Sequence, residues 1–204
     1  MTGSDEAGDL AIRENHPFHV AVFDHVPTED EVRADLERFA RTARGGDGVS
    51  MLVTPTGLIL PQPGQKLVRI DATTSNIANA GTNSADKVRF TGIWQAGTGQ
   101  QFFEVFVLDN PNRNDLDRNT LSIFYYLLDV GTHVPGLTAD RFLQGQISNS
   151  STDGWHCSNL TLAETNHAGA TRLQSLPFNQ WVDYPSPATS SWLVGNNNTW
   201  LGYY

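Results

Sequence analysis

The chain has 204 residues, with 13 Lys+Arg against 22 Asp+Glu, a formal net charge of −9 and one cysteine. That length suits one domain, or one domain with an extension, and buries a core without covalent staples. Cys157 alone excludes an internal disulfide framework and a multi-cysteine zinc site. The acid excess argues against a nucleic-acid surface, and no apolar run reaches the roughly 18 residues of a transmembrane segment. The acidic N-terminus has no apolar signal region, which leads us to expect a cytoplasmic protein, with release by a non-classical route as the alternative.

Charge divides the chain. Residues 1–65 hold eleven acidic and five basic side chains, net −6; residues 66–204 hold eleven and eight, net −3. In the first part, Phe18–Val26 reads as a strand, with Phe18, Val20, Val22 and Val26 on one face and His19, Ala21, Phe23 and His25 on the other. Thr28 and Glu31 have the spacing of a capping box, and Val32, Leu36, Phe39 and Ala43 follow as one apolar stripe. Arg38, Arg41 and Arg44 favour the carboxyl end of the helix dipole, and Gly45-Gly46 stops the helix, so the spacing predicts a helix over 29–44. Val49–Thr54 and Leu58–Leu60 follow as short strands. Together these make a β-α-β-β extension over 1–65, closed by the turn at Pro61–Gly64 and expected to pack on the rest.

From Lys66 onward the pattern is strand, polar loop, strand. Segments 67–73, 87–94, 102–109, 121–130, 141–148, 156–164, 171–177 and 198–204 fit strands, and Val68/Ile70 and Val88/Phe90 face inward between charged neighbours. Eight short strands separated by Asn/Gly/Asp/Pro loops predict an antiparallel β-sandwich over 66–204. Among the tryptophans, Trp94 and Trp181 sit on strands and are expected in the core.

Three loops concentrate hard oxygen donors: 79–86, 109–119 and 151–155. Calcium takes six to eight oxygens from carboxylates, amides and carbonyls on such loops, although Asn, Asp and Gly are also ordinary turn residues. Trp155 follows Asp153-Gly154, where an indole would reach a membrane headgroup region or pack over the loop base.

The ordered motifs AGTN (80–83), LDNPNRNDLDRN (108–119), STDGWHCSNLTL (151–162), PFNQWV (177–182) and the Trp192–Trp200 segment resemble the PLAT/LH2 family. The likeness covers about 66–204 and is nearest the calcium-dependent membrane-binding domain at the C-terminus of clostridial phospholipases C. The resemblance implies an eight-stranded PLAT/C2-like sandwich that gathers calcium at one end. It implies one site with Asn79, Gly81, Asp153 and Gly154, and others around Thr82, Asn83, Asp109, Asn110 and Asp115, with Trp155 as the membrane or ligand contact. Asn79 and Asn83 stand where that pattern has aspartates, and Arg113 lengthens the second loop; neutral amides lower ligand charge and affinity.

The expectation is therefore a non-catalytic module that associates with membrane lipid headgroups through calcium. The first alternative is a protein-interaction or assembly module, with oligomerisation open, in which the acidic helix supplies the surface. The second is a small enzyme with a pocket between extension and sandwich, using His19, Asp24, His25 or His133. No catalytic motif supports it: G-x-S-x-G, H-E-x-x-H and a glycine-rich phosphate loop are all missing from the sequence. A lectin-like role is a further alternative, because loop Trp and Asn also suit sugars.

Overall fold

A computed structural model describes residues 14–42, 52–53, 59–109, 115–134, 136–182, 191–194 and 199–203. In chain order the elements begin with β1 (Glu14–Asn15), β2 (His19–Phe23), α1 (Glu29–Thr42), β3 (Leu52–Val53), β4 (Ile59–Leu60) and β5 (Gln65–Thr74). They continue with β6 (Val88–Ala96), β7 (Gln101–Val107), β8 (Leu121–Asp129), α2 (Val130–His133) and β9 (Ala139–Asn149). The last are β10 (Trp155–Asn166), β11 (Thr171–Val182), β12 (Ser191–Val194) and β13 (Leu201–Gly202).

Period-two burial builds the sandwich. β6 alternates buried and half-buried residues along its whole length, and β5 turns Lys66, Val68, Ile70, Ala72 and Thr74 inward. One sheet runs β1-β7-β6-β9-β12, with β13 pairing the other half of β9; the second runs β11-β10-β5-β8-β2. All these pairs are antiparallel except β1 with β7. Every strand expected after Lys66 has its counterpart, and β12 adds another.

The N-terminal segment enters both sheets, so strand pairing crosses the Pro61–Gly64 turn: β1 pairs β7, and β2 forms the edge beside β8. Val20 and Val22 pack toward the sandwich core, while Ala21 and Phe23 face α1. Phe18, expected to share the face of Val20, instead packs with the helix, 5.6 Å from Phe39 between ring centroids.

The helix begins at its capping box. The Thr28 amide donates to Glu31 Oε2 at 2.7 Å, and the Glu31 amide donates to Thr28 Oγ1 at 3.3 Å. Val32 and Leu36, with Phe39 behind them, cover the outer face of β2 and β8 at Ala21, Ile123 and Tyr125. Each such side chain, when fully buried, contributes roughly 1.5–3 kcal/mol, which outweighs the propensity of so short a helix. Ala43, Arg44 and the Gly45-Gly46 stop lie outside the described residues.

Between the sheets, at the end where β5 and β11 begin, four charges are sealed. Lys66, Asp140, Glu164 and Arg172 are each at most 1% exposed. Lys66 Nζ lies 3.1 Å from Asp140 Oδ2 and 2.9 Å from Glu164 Oε1. Arg172 donates to Glu164 Oε2 at 2.8 Å and Asp140 Oδ1 at 2.7 Å. Trp94 Nε1 donates to Glu164, Tyr203 Oη donates to Asp140, and Lys66 lies 4.3 Å above the Trp94 ring. Two cations and two carboxylates balance, as burial of charge requires. The Trp94 indole folds over Gly92, where a Cβ would stand 2.2 Å from the ring, and Phe90 covers Gly145 in the same way.

Candidate functional site

The opposite end of the sandwich carries the ligand-rich loops. The chain leaves β5 for residues 75–87, leaves β7 for 108–120 and leaves β9 for 150–154, and side-chain and backbone bonds tie the three together. Asp153 is the knot. Its Oδ2 accepts from Thr82 Oγ1 at 3.0 Å and from the Asn83 amide at 2.6 Å. Its carbonyl accepts from Thr82 Oγ1 at 3.2 Å and from Asn149 Nδ2 at 2.9 Å. Ser151 Oγ accepts from the Asp153 amide at 3.0 Å, fixing the turn that aims the carboxylate.

The second loop closes on the first. The Thr82 amide donates to the Leu116 carbonyl at 3.3 Å, the Asn119 amide donates to the Ser75 carbonyl at 3.2 Å, and Arg118 donates to Asn76 Oδ1 at 2.9–3.0 Å. Gly81 is required by this approach, because a Cβ there would sit 2.8 Å from the Arg118 amide nitrogen. Asn79, Leu116 and Asn119 all adopt positive φ, 58° to 61°. For Asn that is tolerated; for Leu116 it is a strained conformation held by complete burial and by a Ser122 Oγ bond to its amide.

Thr82 and Asn83 are therefore joined to Asp153, with Gly81 and Gly154 as their chain neighbours, while Asn79 is exposed two residues before Gly81. Asp115 precedes Leu116, whose carbonyl accepts from Thr82, and Asp109 lies just beyond the end of β7. Asp115 is buried, 2% exposed, beside the Leu116 turn. Burial and, after it, the Asp86 charge push the Asp109 carboxyl above its usual range, against the pull of Arg89 and His16. Asn110 and the side chain of His133 lie outside the described residues. His19 Nε2 is 2.6 Å from Asp35 and its ring stacks on Phe39, so it ties β2 to α1; His25 is exposed between Asp24 and Glu31.

Trp155 takes the second of its two expected positions, and Trp181 departs from the core position expected of it. Trp155 is fully buried and donates from Nε1 to Thr74 Oγ1 at 2.9 Å, so it packs under the loops and presents nothing to a membrane. The reason is strand parity: Trp155 opens β10 on its inward face. Trp181, expected in the core, is 37% exposed on the outward face of β11, edge-on to His156 at 5.1 Å. His156 Nδ1 in turn lies 2.7 Å from Ser75 Oγ, and Ile77 in the same loop is 43% exposed. Among the described residues, Ile77 and Trp181 are thus exposed large apolar side chains at the loop end, and Val26, 89% exposed, lies there too, near Asn119–Leu121.

Among the described residues no group of three or more His, Cys, Asp and Glu side chains is placed to hold a metal. What the bonded loops place together is one carboxylate, Asp153, with the Thr82 hydroxyl and the Asn83 backbone. That chemistry fits a hard cation held weakly, since affinity falls with the ligand charge count.

No family model matches the chain, and no curated protein matches it. Among solved structures, it is similar to the alpha toxin from Clostridium absonum, at 20% identity over 81% of this chain and 37% of that one, TM-score 0.43. It is also similar to the alpha-toxin of a Clostridium perfringens avian strain, at 17% identity over 76% and 35%, TM-score 0.37. A calcium-dependent 11R-lipoxygenase matches at 15% identity over 64% of this chain and 17% of that one, TM-score 0.38. The chain spans little more than a third of the toxins and about a sixth of the lipoxygenase. At this degree of likeness the functional argument rests on the chain's own geometry: a β-sandwich with one hydrogen-bonded loop end.

Proposed function

We propose that the chain is a non-catalytic binding module that associates with membrane lipid headgroups through calcium at this loop end. The observation that carries the reading is the convergence of the three oxygen-rich loops, through Thr82, Asn83 and Leu116, with Asp153 at their centre. Asp153, Asn79, Asn83 and the Gly81 carbonyl would hold the ion. When bound, calcium supplies positive charge that an acidic protein of net −9 lacks for meeting an anionic surface. The chain's own part is to fix the Asp153 carboxylate through two hydrogen bonds and to present Ile77 and Trp181 at the same end of the sandwich. An indole at that position suits the headgroup boundary.

One carboxylate implies weak binding, about 10⁻⁴–10⁻³ M. The test is sedimentation with phosphatidylserine vesicles, in calcium and after EGTA, for the parent and Asp153→Ala. Calcium-dependent pelleting that EGTA reverses and the variant loses is expected. Equal pelleting with and without calcium removes the ion from the mechanism, and no pelleting in either removes the membrane.

A further inference from the structure

At the end of the sandwich away from the loops, the outer face of the first sheet carries a patch of its own. The outward positions of β6, β7 and β9 hold no aspartate, glutamate or lysine. Glu104 and Asp140 have the inward parity of Phe106 and Phe142 and are buried. The acid excess of a chain with net charge −9 therefore lies off this face.

Two outward arginines remain on these strands. Arg89 is matched by Glu14 at 2.7 Å, toward the loop end. Arg141 makes no ion pair with a described residue. Its Nε and Nη2 both donate to Gln95 Oε1, at 2.9 and 2.5 Å, and its guanidinium lies 5.2 Å from the centre of the Trp200 ring. Gln95 stands directly across from it on β6, and Trp200 precedes Leu201, which pairs Asp140 on the other side. An amide oxygen and a ring fix the group without neutralising it. The third nitrogen, Nη1, makes no hydrogen bond with a described residue and, unlike the sealed Tyr125 hydroxyl, keeps solvent access.

Apolar side chains flank this cation. Trp200 is 49% exposed on one side, and Phe103 is 55% exposed on β7. Half-buried Ile93, opposite Phe103 in register, lies on the strand between them. Exposed Trp and Phe around a fixed Arg, with Asp, Glu and Lys missing, is the composition of a protein-binding surface. The unmatched guanidinium sets the sign of what it meets. One such cation on an acidic chain gives an anionic membrane little pull, because that attraction grows with clustered positive charge. A second copy docking face to face brings no carboxylate to it.

We infer that this face docks an acidic partner protein, which sets a carboxylate against Arg141 and apolar side chains on Trp200 and Phe103. The patch is at the opposite end from Asp153, so its test is independent of calcium and of the loop end. The probe is acetyl-Leu-Glu-Leu-amide, titrated into the full chain in EGTA and followed by amide chemical shifts. Its Gln and Lys counterparts run beside it, with Arg141→Gln, Trp200→Ala and, as a control on the other sheet, Leu173→Ala.

The parent is expected to bind the Glu peptide saturably, with shifts at Gln95, Arg141 and Phe103, and roughly threefold to tenfold more tightly than the Gln peptide, as one charge-assisted hydrogen bond on a half-exposed group allows. The Lys peptide is expected to bind most weakly. Arg141→Gln is expected to erase the difference between Glu and Gln peptides, Trp200→Ala to weaken both, and Leu173→Ala to change neither. Equal affinity for the Glu and Gln peptides on the parent, which needs no variant, would overturn the inference. So would preference for Lys, shifts confined to the loop end or to α1, or no saturable binding. Stronger shifts at the same residues with phosphatidylserine vesicles in EGTA would give the face to lipid instead, and a doubled mass in solution that Phe103→Glu abolishes would give it to a second copy.

Discussion

Replacing Glu164 by Gln tests the buried charge quartet directly. In the parent, Glu164 accepts from Lys66, Trp94 and Arg172 at 2.8–2.9 Å, all inside a region with no solvent exposure. The variant keeps the size and some of the bonds but removes one of two negative charges, leaving Lys66 and Arg172 to share Asp140. An uncompensated buried charge costs about 3–5 kcal/mol. For a chain of this length each kcal/mol moves the melting temperature by about 2–4 °C, so Glu164→Gln should melt roughly 6–20 °C lower. With a slope of about 3 kcal/mol per molar urea, its unfolding midpoint should fall by roughly 1–2 M. The diagnostic step is the double variant Lys66→Met with Glu164→Gln, which restores balance by leaving the Arg172–Asp140 pair. Its cost should be smaller than the sum of the two single costs by at least about 1 kcal/mol. Additive losses, or a single loss under about 1 kcal/mol, would refute the account of four mutually compensating charges.

The remaining predictions follow from local geometry. Burial works to raise the Asp140 carboxyl, but Lys66 and Arg172 hold it below its usual range. Its contribution is therefore complete above the unfolded value near about 3.9 and is lost as pH falls through the lower folded value. Urea midpoints across an acid series should drop in that window, and an equally steep drop in Asp140→Asn would remove Asp140 as the cause. Thr28→Ala deletes the cap hydroxyl of α1 and should cost about 1 kcal/mol, a fall of roughly 2–4 °C on heating, without altering the sandwich strands in hydrogen exchange. Gly92→Ala drives a methyl into the Trp94 ring and should cost about 1–3 kcal/mol with a shifted tryptophan emission; unchanged emission and stability would contradict the packing.

Most strands were legible because their inward residues are apolar at every second position, as in Val68 and Ile70 or Val88 and Phe90. The capping box was legible because two side chains three residues apart decide it alone. What was not legible lies where polarity and burial disagree. Along β11 the inward positions are Arg172, Gln174, Leu176 and Phe178, while Leu173 is 54% exposed. A hydropathy pattern read there puts leucine in and arginine out. Only pairing across both sheets, which supplies Asp140 and Glu164, reverses that preference, and no local window contains those partners. Lys66 carried a usable signal, since it has the parity of Val68 and Ile70 and so belongs on the inward face.

The same parity argument explains the site. Trp155 and Cys157 face inward, yet Leu160, Leu162 and Glu164 do too, although their positions differ by an odd number. The register shifts between Cys157 and Asn159 in both pairings of β10, and this bulge lets an odd-numbered start and an even-numbered continuation share one face. A sequence reading that assumes unbroken alternation cannot place Trp155 from the strand that follows it, so its neighbours Asp153 and Gly154 drew it into the loop. The bulge also orients His156 outward against Trp181, across from it in register. One irregularity in β10 thus turns Trp155 inward, while Trp181 faces outward by the phase of β11 itself. Thr82, Asn83 and Asp153, by contrast, are held by hydrogen bonds between loops rather than by strand phase.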